Sequence, residues 1–292
     1  MVGGSLSLKL LRTIDGVYKP REDELWGLAE VARLNKLYLA FLRSADGGVF
    51  WRERVVEEAR FRRYMRDVVD VVRALRGLRY ALYKFRRPID HVSVDLDVLV
   101  HVDDVSRAVA KLRSRGFRVD VVEPYTVTLR RGGFIVDLYT YPAFAWIVYM
   151  DGWRLVRDYS EDFEVDGVVA RCLTRDAEVV VAAAHAVYKE HIVLLLDCLT
   201  VKKWLSRKVL RLADEFMVRG SLDLVLAVCR GVEEGVVEAP YKIPLTRVVK
   251  LYLEKMREDP MFRGTSLNIV RYLLKRERSL YIVLSRLTRK TY

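Results

Sequence analysis

Two aspartates one residue apart in an otherwise apolar run, Val92-Ser93-Val94-Asp95-Leu96-Asp97-Val98-Leu99-Val100, are the residues of this chain best suited to chemistry. The even positions from 92 to 100 are apolar, and side chains alternate along a strand, so Ser93, Asp95 and Asp97 share the opposite face. Twice the strand rise separates the two carboxylates by about 6 to 7 Å, which lets them converge on hard cations. Mg²⁺ takes a few carboxylates and completes its shell with substrate phosphate oxygens. Asp is disfavoured inside strands, so two of them there need a reason. A third acid, Asp137, interrupts Phe134-Ile135-Val136-Asp137-Leu138-Tyr139, and a hairpin from Thr126–Leu129 across Arg130-Arg131-Gly132-Gly133 brings it into the same sheet. The competing reading is a solvated sheet face whose acids serve solubility. Asp137 argues against it, because a carboxylate buried without a partner in an apolar run is costly. Three acids on two strands can hold two Mg²⁺ ions, one activating an attacking hydroxyl and one on a triphosphate, as in nucleotidyl transfer.

The elements that must position these acids follow from periodicity. Residues 1–77 read as an N-terminal helical arm, with its helices from about residue 21 to Gly77. Leu25, Leu28, Ala29, Ala32, Leu37 and Leu39–Leu42 recur at helical spacing, Asp46-Gly47-Gly48 breaks the run, and a second helix from Val55 to Leu75 ends at Gly77. Residues 78–173 read as a small α/β core. Its strands are expected at 78–84, 92–100, 117–122, 126–129, 134–139 and around 163–173. Asp103 and Asp104 are expected to cap a helix that stops at Gly116. Thr174 should cap a long helix with Asp176 and Glu178 in its first turn, opening a helical C-terminal domain over residues 174–292. Trp146, Tyr149 and Trp153 are expected between the two domains. The predicted class is α+β, a small mixed sheet with helices before and after it.

With its Asp-x-Asp strand, later third acid and strand-helix-strand order, the chain resembles the polymerase-β-like nucleotidyltransferase superfamily over roughly residues 78–205. Within it, the likeness is to a branch whose core precedes a helical domain with a His-rich, Asp-ending helix. Thr174-Arg175-Asp176-Ala177-Glu178, His185-Ala186-Val187-Tyr188-Lys189-Glu190-His191 and Leu196-Asp197-Cys198-Leu199 carry that part. The resemblance implies a nucleoside triphosphate substrate, Asp95, Asp97 and Asp137 as catalytic metal ligands, and release of pyrophosphate. Similarity to abortive-infection type nucleotidyltransferase toxins implies Lys189 on the triphosphate with Asp197 supporting it. Members usually carry a Gly-Ser or Gly-Gly pair before the acidic strand, where this chain has Leu82-Tyr83-Lys84-Phe85-Arg86-Arg87-Pro88. Lys84, Arg86 or Arg87 then supplies the phosphate contacts by charge. The alternative is a degenerate, non-catalytic module that binds nucleic acid or a protein partner. A haloacid-dehalogenase-like phosphatase would need Thr or Val at position 99, where Leu stands. A sugar transferase would need a nucleotide-binding βαβ half before residue 78.

Composition narrows the context. The 292 residues are 52% hydrophobic and 31% charged, with 51 Lys and Arg against 39 Asp and Glu. Thirteen of those cations and four of the acids fall after residue 240, which leans toward RNA as a partner of the C-terminal region. Gln is absent and Asn occurs twice, at 35 and 268. Together with abundant Arg and Glu, this suits a hot environment. Cys172, Cys198 and Cys229 form no Cys-x-x-Cys pair, which argues against a disulfide framework or cysteine zinc site and for a reducing cytoplasm. His91, His101, His185 and His191 lack zinc spacing, and His185 and His191 read as core residues. The longest apolar stretch, 135–150, holds Asp137 and Pro142 and is too short to span a membrane. Met1-Val2-Gly3-Gly4-Ser5 lacks the apolar run of a secretory signal.

Overall fold

The β-branched runs between residues 80 and 173 assemble, in the computed structural model, into one mixed sheet within an α+β fold. The structure describes residues 5–45, 48–275, 277–289 and 291, so Asp46 and Gly47 of the expected helix break lie outside the described residues, as do residues 1–4. In chain order the strands are β1 (Tyr80–Leu82), β2 (Asp95–Val100), β3 (Arg118–Glu123), β4 (Thr126–Arg131), β5 (Phe134–Tyr139), β6 (Ala143–Phe144), β7 (Ile147–Val148), β8 (Ser160–Val165) and β9 (Val168–Leu173). The seven-stranded sheet runs β3-β4-β5-β2-β1-β9-β8, with β2/β5 and β1/β9 parallel. The pair β6/β7 stands apart as a short hairpin. Gly132, at φ +57°, makes the tight β4–β5 turn that the paired glycines predict.

Helices precede and follow the sheet. The arm comprises α1 (Leu6–Ile14), α2 (Leu25–Leu34), α3 (Tyr38–Ser44) and the long α4 (Trp51–Leu75). Between strands lie α5 (Val105–Arg113) and α6 (Gly152–Asp158), then α7 (Arg175–His185) runs into a π-helical turn over Ala186–Glu190. A short pair, β10 (Ile192–Val193) with β11 (Tyr241–Lys242), flanks α8 (Leu195–Trp204), α9 (Arg207–Glu215) and α10 (Arg219–Glu233). The chain closes with α11 (Leu245–Glu258), α12 (Pro260–Thr265), α13 (Asn268–Lys275) and α14 (Ser279–Thr288). No described helix is long and apolar enough to cross a membrane.

Strand alternation divides the sheet between two cores. Leu82, Leu96, Val98, Val136 and Leu138 pack with Val68, Val72 and Leu75 of α4 and Ala108 and Leu112 of α5. Ala81, Leu99 and Tyr139, one pleat out of phase, pack with α7 and the helices that follow it. The arm's α1–α3 share a third core with Leu195, Leu196 and Leu199 of α8 and Val232 of α10. Gly152 allows α6 to dock, because a Cβ there would meet the Thr140 carbonyl oxygen at 2.2 Å.

Several local expectations are corrected. The helical run over 25–42 is two helices, broken where Lys36 takes a left-handed φ of +58° and Asn35 turns its amide to tertiary partners. Val92 to Val94 stand outside the strand, and Val94 is exposed. The single strand at 163–173 is the β8–β9 hairpin, turning at Asp166-Gly167. Asp104 makes no side-chain cap; it holds the Arg79 backbone N–H at 3.0 Å and its Nε at 2.8 Å, while the His101 ring accepts from the Asp103 N–H. Thr174 does cap α7, accepting from Ala177 N–H.

Cys198 and Cys229 are joined in a disulfide, contrary to the sequence expectation, with Cys172 free and buried. Position decides this: α8 and α10 pack side by side and set the two Cα atoms 5.2 Å apart, a proximity that a separation of 31 residues does not reveal. Thiol titration of the denatured chain should therefore find one reactive thiol in place of three. Reduction should lower unfolding stability by about 3 to 4 kcal/mol if chain entropy governs a loop of that size; three thiols before reduction would refute the bond.

Candidate metal centre

Parallel pairing of β2 with β5 sets Asp97 directly beside Asp137, and Asp95 lies two residues earlier on the same face. One carboxylate oxygen from each lies within 4.8 Å of the other two, closer than the two-residue strand rise alone sets Asp95 and Asp97. The group faces the core shared with the C-terminal helices, not open solvent, and Asp97 is 7% exposed. Each acid has a distinct neighbour. Ser93 Oγ donates to Asp95 Oδ1 at 2.8 Å, Thr128 Oγ1 donates to Asp137 Oδ1, and Lys84 Nζ lies 2.7 Å from Asp97 Oδ2. Asp97 Oδ1 is buried and has no hydrogen-bond partner among the described residues.

These surroundings move the acids apart in acidity. Burial lifts Asp97 to about 6, the nearby Asp95 charge adding to it and Lys84 opposing. Burial also raises Asp137, against the Thr128 hydrogen bond. For Asp95 the burial cost is outweighed by Lys84, Lys36 and the Ser93 hydroxyl, which hold it below the ordinary carboxylate value. One acid is thus readily ionised and two are held back, a set that a divalent cation would complete. The orphaned Asp97 oxygen and an all-oxygen donor set fit Mg²⁺.

Three lysines from three separate regions surround the acids. Lys84 follows β1 at a left-handed φ of +58°, and Glu178 fixes this segment by accepting the Phe85 and Arg86 N–H groups at 3.1 and 3.3 Å. Lys189 sits in the π-turn after α7, a backbone irregularity common at functional sites, and donates to the Tyr139 hydroxyl at 3.2 Å. Burial and the Lys84 charge push Lys189 down to about 7, against the attraction of Asp97. Lys36 comes from the arm. It is half-buried, and the charge it feels most strongly is that of Asp95.

Of the phosphate contacts expected from sequence, the fold brings Lys84 and Lys189 to the acids. Arg86 is not brought there: it is buried on the far side, paired with Glu161, hydrogen-bonded to the Leu173 carbonyl and stacked over Phe163. Arg87 reaches Thr200 at 3.3 Å. Asp197 accepts the Leu194 N–H at 3.1 Å, tying down the start of α8. His185 is a core histidine between Tyr149 OH and Glu190, with burial and the Lys84 and Lys189 charges keeping it neutral. His101 packs edge-on against Trp153, and Trp146 against Tyr272.

Sequence reasoning missed Lys36, Thr128 and Tyr139. Thr128 was findable, since the hairpin register pairs it with Asp137. Lys36 left no signal beyond the Asn before it. No family model matches this chain, and no curated protein shows significant similarity to it.

Burial of Asp97 makes the stability of the folded chain depend on pH. The folded chain holds an extra proton between about pH 4 and 6, so this residue's contribution to stability is present below that window and lost as pH rises through it. In metal-free buffer, the stability difference between wild type and Asp97→Asn should shift toward the variant by about 2 kcal/mol from pH 4 to pH 7. Denaturant unfolding at several pH values measures it, and a pH-independent difference would contradict a penalised carboxylate at 97.

Proposed function

We propose that the chain is a Mg²⁺-dependent nucleotidyltransferase, moving a nucleoside monophosphate from a triphosphate to an acceptor hydroxyl. The observation that carries this reading is the convergence of Asp95, Asp97 and Asp137, with an unpartnered buried oxygen on Asp97 and lysines on several sides. Bound Mg²⁺ would supply Lewis-acid polarisation of the phosphates and a lowered acceptor pKa. Asp95 and Asp97 would hold both ions, and Asp137 would hold the one on the acceptor side. In the reaction the acceptor oxygen bonds to the α-phosphorus, the bond to the bridging oxygen breaks, and pyrophosphate leaves. Asp137, raised by burial, is suited to take the hydroxyl proton. Lys84 and Lys189 would contact the departing phosphates in place of the backbone amides of a Gly-Ser pair.

Charge supports joint binding. Three carboxylates already face Lys84, Lys36 and, below about pH 7, a charged Lys189, so divalent ions entering alone meet uncompensated positive charge. A polyanionic triphosphate entering with them restores the balance. A second reading, a non-catalytic module, is favoured by one contact, the Lys84 ammonium seated on Asp97 at 2.7 Å. Calorimetry separates them: saturable nucleotide binding that needs Mg²⁺ supports the enzyme, and none supports the module.

Incubation with α-³²P-labelled triphosphates and total RNA or protein extract should label an acceptor, and chelation by EDTA should abolish the labelling. Asp97→Asn and Asp137→Asn should each lower transfer by about 10³-fold or more while keeping the fold; full activity in either ends the proposal. Because Lys189 loses its charge near pH 7, wild-type nucleotide affinity should fall about three- to tenfold from pH 6.5 to 8.5 beyond any fall seen in Lys189→Met. Identical pH profiles would remove Lys189 from the phosphate site.

A further inference from the structure

The loop at 92–94 separates two adjoining basins beside the acids. One, of about 290 Å³, is lined by Arg33, Lys36, Tyr38, Glu57 and Arg60. The other, of about 310 Å³, is lined by Arg60, Arg63, Tyr64, Asp67 and Arg131. Both share Ser93, which is hydrogen-bonded to Asp95, and the Asp95 charge acts on Lys36 of the first and Tyr64 of the second, so both basins adjoin the metal centre without being lined by its acids. Their walls carry five cations and two carboxylates, each carboxylate already bonded to an arginine: Glu57 to Arg60 at 2.7 Å and Asp67 to Arg131 at 2.9 Å. Arg63 is exposed and makes no ion pair among the described residues. Arg33 lies over the Tyr38 ring at 4.3 Å and donates to its hydroxyl at 2.6 Å, a held guanidinium of the kind on which a base stacks.

We infer that these two basins, built by the α2–α3 turn and α4, form the track for a single-stranded RNA acceptor whose end enters the centre past Ser93. This rests on the nucleotidyltransferase reading and names its acceptor class. Guanidinium groups spaced along a groove match a phosphate backbone, whereas a small acceptor would need one enclosed pocket. Part of the basic C-terminal region is engaged within the fold, while Arg247, Arg257 and Arg271 stay exposed and make that region the rival surface. There Lys255 is buried against Asp259, Arg286 pairs with Glu190, Arg263 bonds the Met256 and Arg257 carbonyls, and Lys242 bonds the Arg289 carbonyl.

The test is fluorescence anisotropy of a labelled single-stranded RNA of roughly 20 nucleotides, between about 50 and 200 mM salt, without Mg²⁺ or nucleotide. Wild type should bind with a steep salt dependence. Arg63→Glu should weaken binding about tenfold and flatten the salt slope by about one contact, with an unchanged melting temperature. Arg247→Glu with Lys250→Glu, on the C-terminal helices, should change little. Absence of wild-type binding overturns the inference. So does equal affinity in Arg63→Glu, or a larger loss from the C-terminal pair. Since no metal or nucleotide is present, RNA binding with no transfer would uphold the track and count against the nucleotidyltransferase reading alone.

Discussion

Keeping three carboxylates charged on one buried sheet face is the constraint from which the rest of the architecture follows. Asp97 and Asp137 are adjacent by strand register, and Asp95 is one pleat away, so any two repel in a setting of low polarity. Sheet geometry offers no counter-charge of its own. Relief must come from side chains beyond the sheet, and each of the three lysines arrives on an irregular stretch of backbone. Lys36 and Lys84 adopt left-handed conformations at a cost of about 1 to 2 kcal/mol each, and Lys189 occupies a π-turn that ends at left-handed His191. Ordinary helix or strand at these positions would aim the ammonium groups elsewhere.

Anchoring explains how such strain persists. Asn35 donates to the carbonyls of Val31 and Ala239 and accepts from the Leu195 N–H, so the arm is bound to the start of α8 at the residue before Lys36. Glu178, pushed up to about 7 by burial, grips the two amides after Lys84. Asn268, the only other asparagine, reaches the Trp146 carbonyl at 3.2 Å, joining α13 to the turn of the β6–β7 hairpin. In a chain otherwise stripped of amides, both survivors tie distant segments together, since each can donate and accept where a charged group would be penalised.

The sheet and its acids were legible because period-2 patterning is local: the apolar residues of β2 and β5 fix which face each Asp takes. The glycine turn and the Thr174 cap were legible for the same reason. The break at Asn35-Lys36 was not, since helical spacing runs unbroken through it and the cause is a bond to residue 239. Arg86 read as a phosphate ligand from its nearness to Lys84 in sequence, yet the left-handed turn sends the two side chains to opposite sides of the segment. The disulfide, too, depends on helix packing that no spacing rule contains.

Taken together, these contacts argue that the acidic strands do not make a site alone. Odd-numbered residues of β1, β2 and β5 face the C-terminal helices, and without them Leu99, Tyr139 and the acids would meet water on an open sheet. The acids would then be ordinary surface carboxylates, hydrated and too weakly coupled to hold different protonation states. Enclosure creates both the perturbed Asp97 and the need for the lysines. Helix α8 joins the two supports, because its first turns pack on the arm that carries Lys36 while the preceding π-turn carries Lys189. A shift of α8 would move two of the three counter-charges at once, so the electrostatics of the centre depends on how these helices dock.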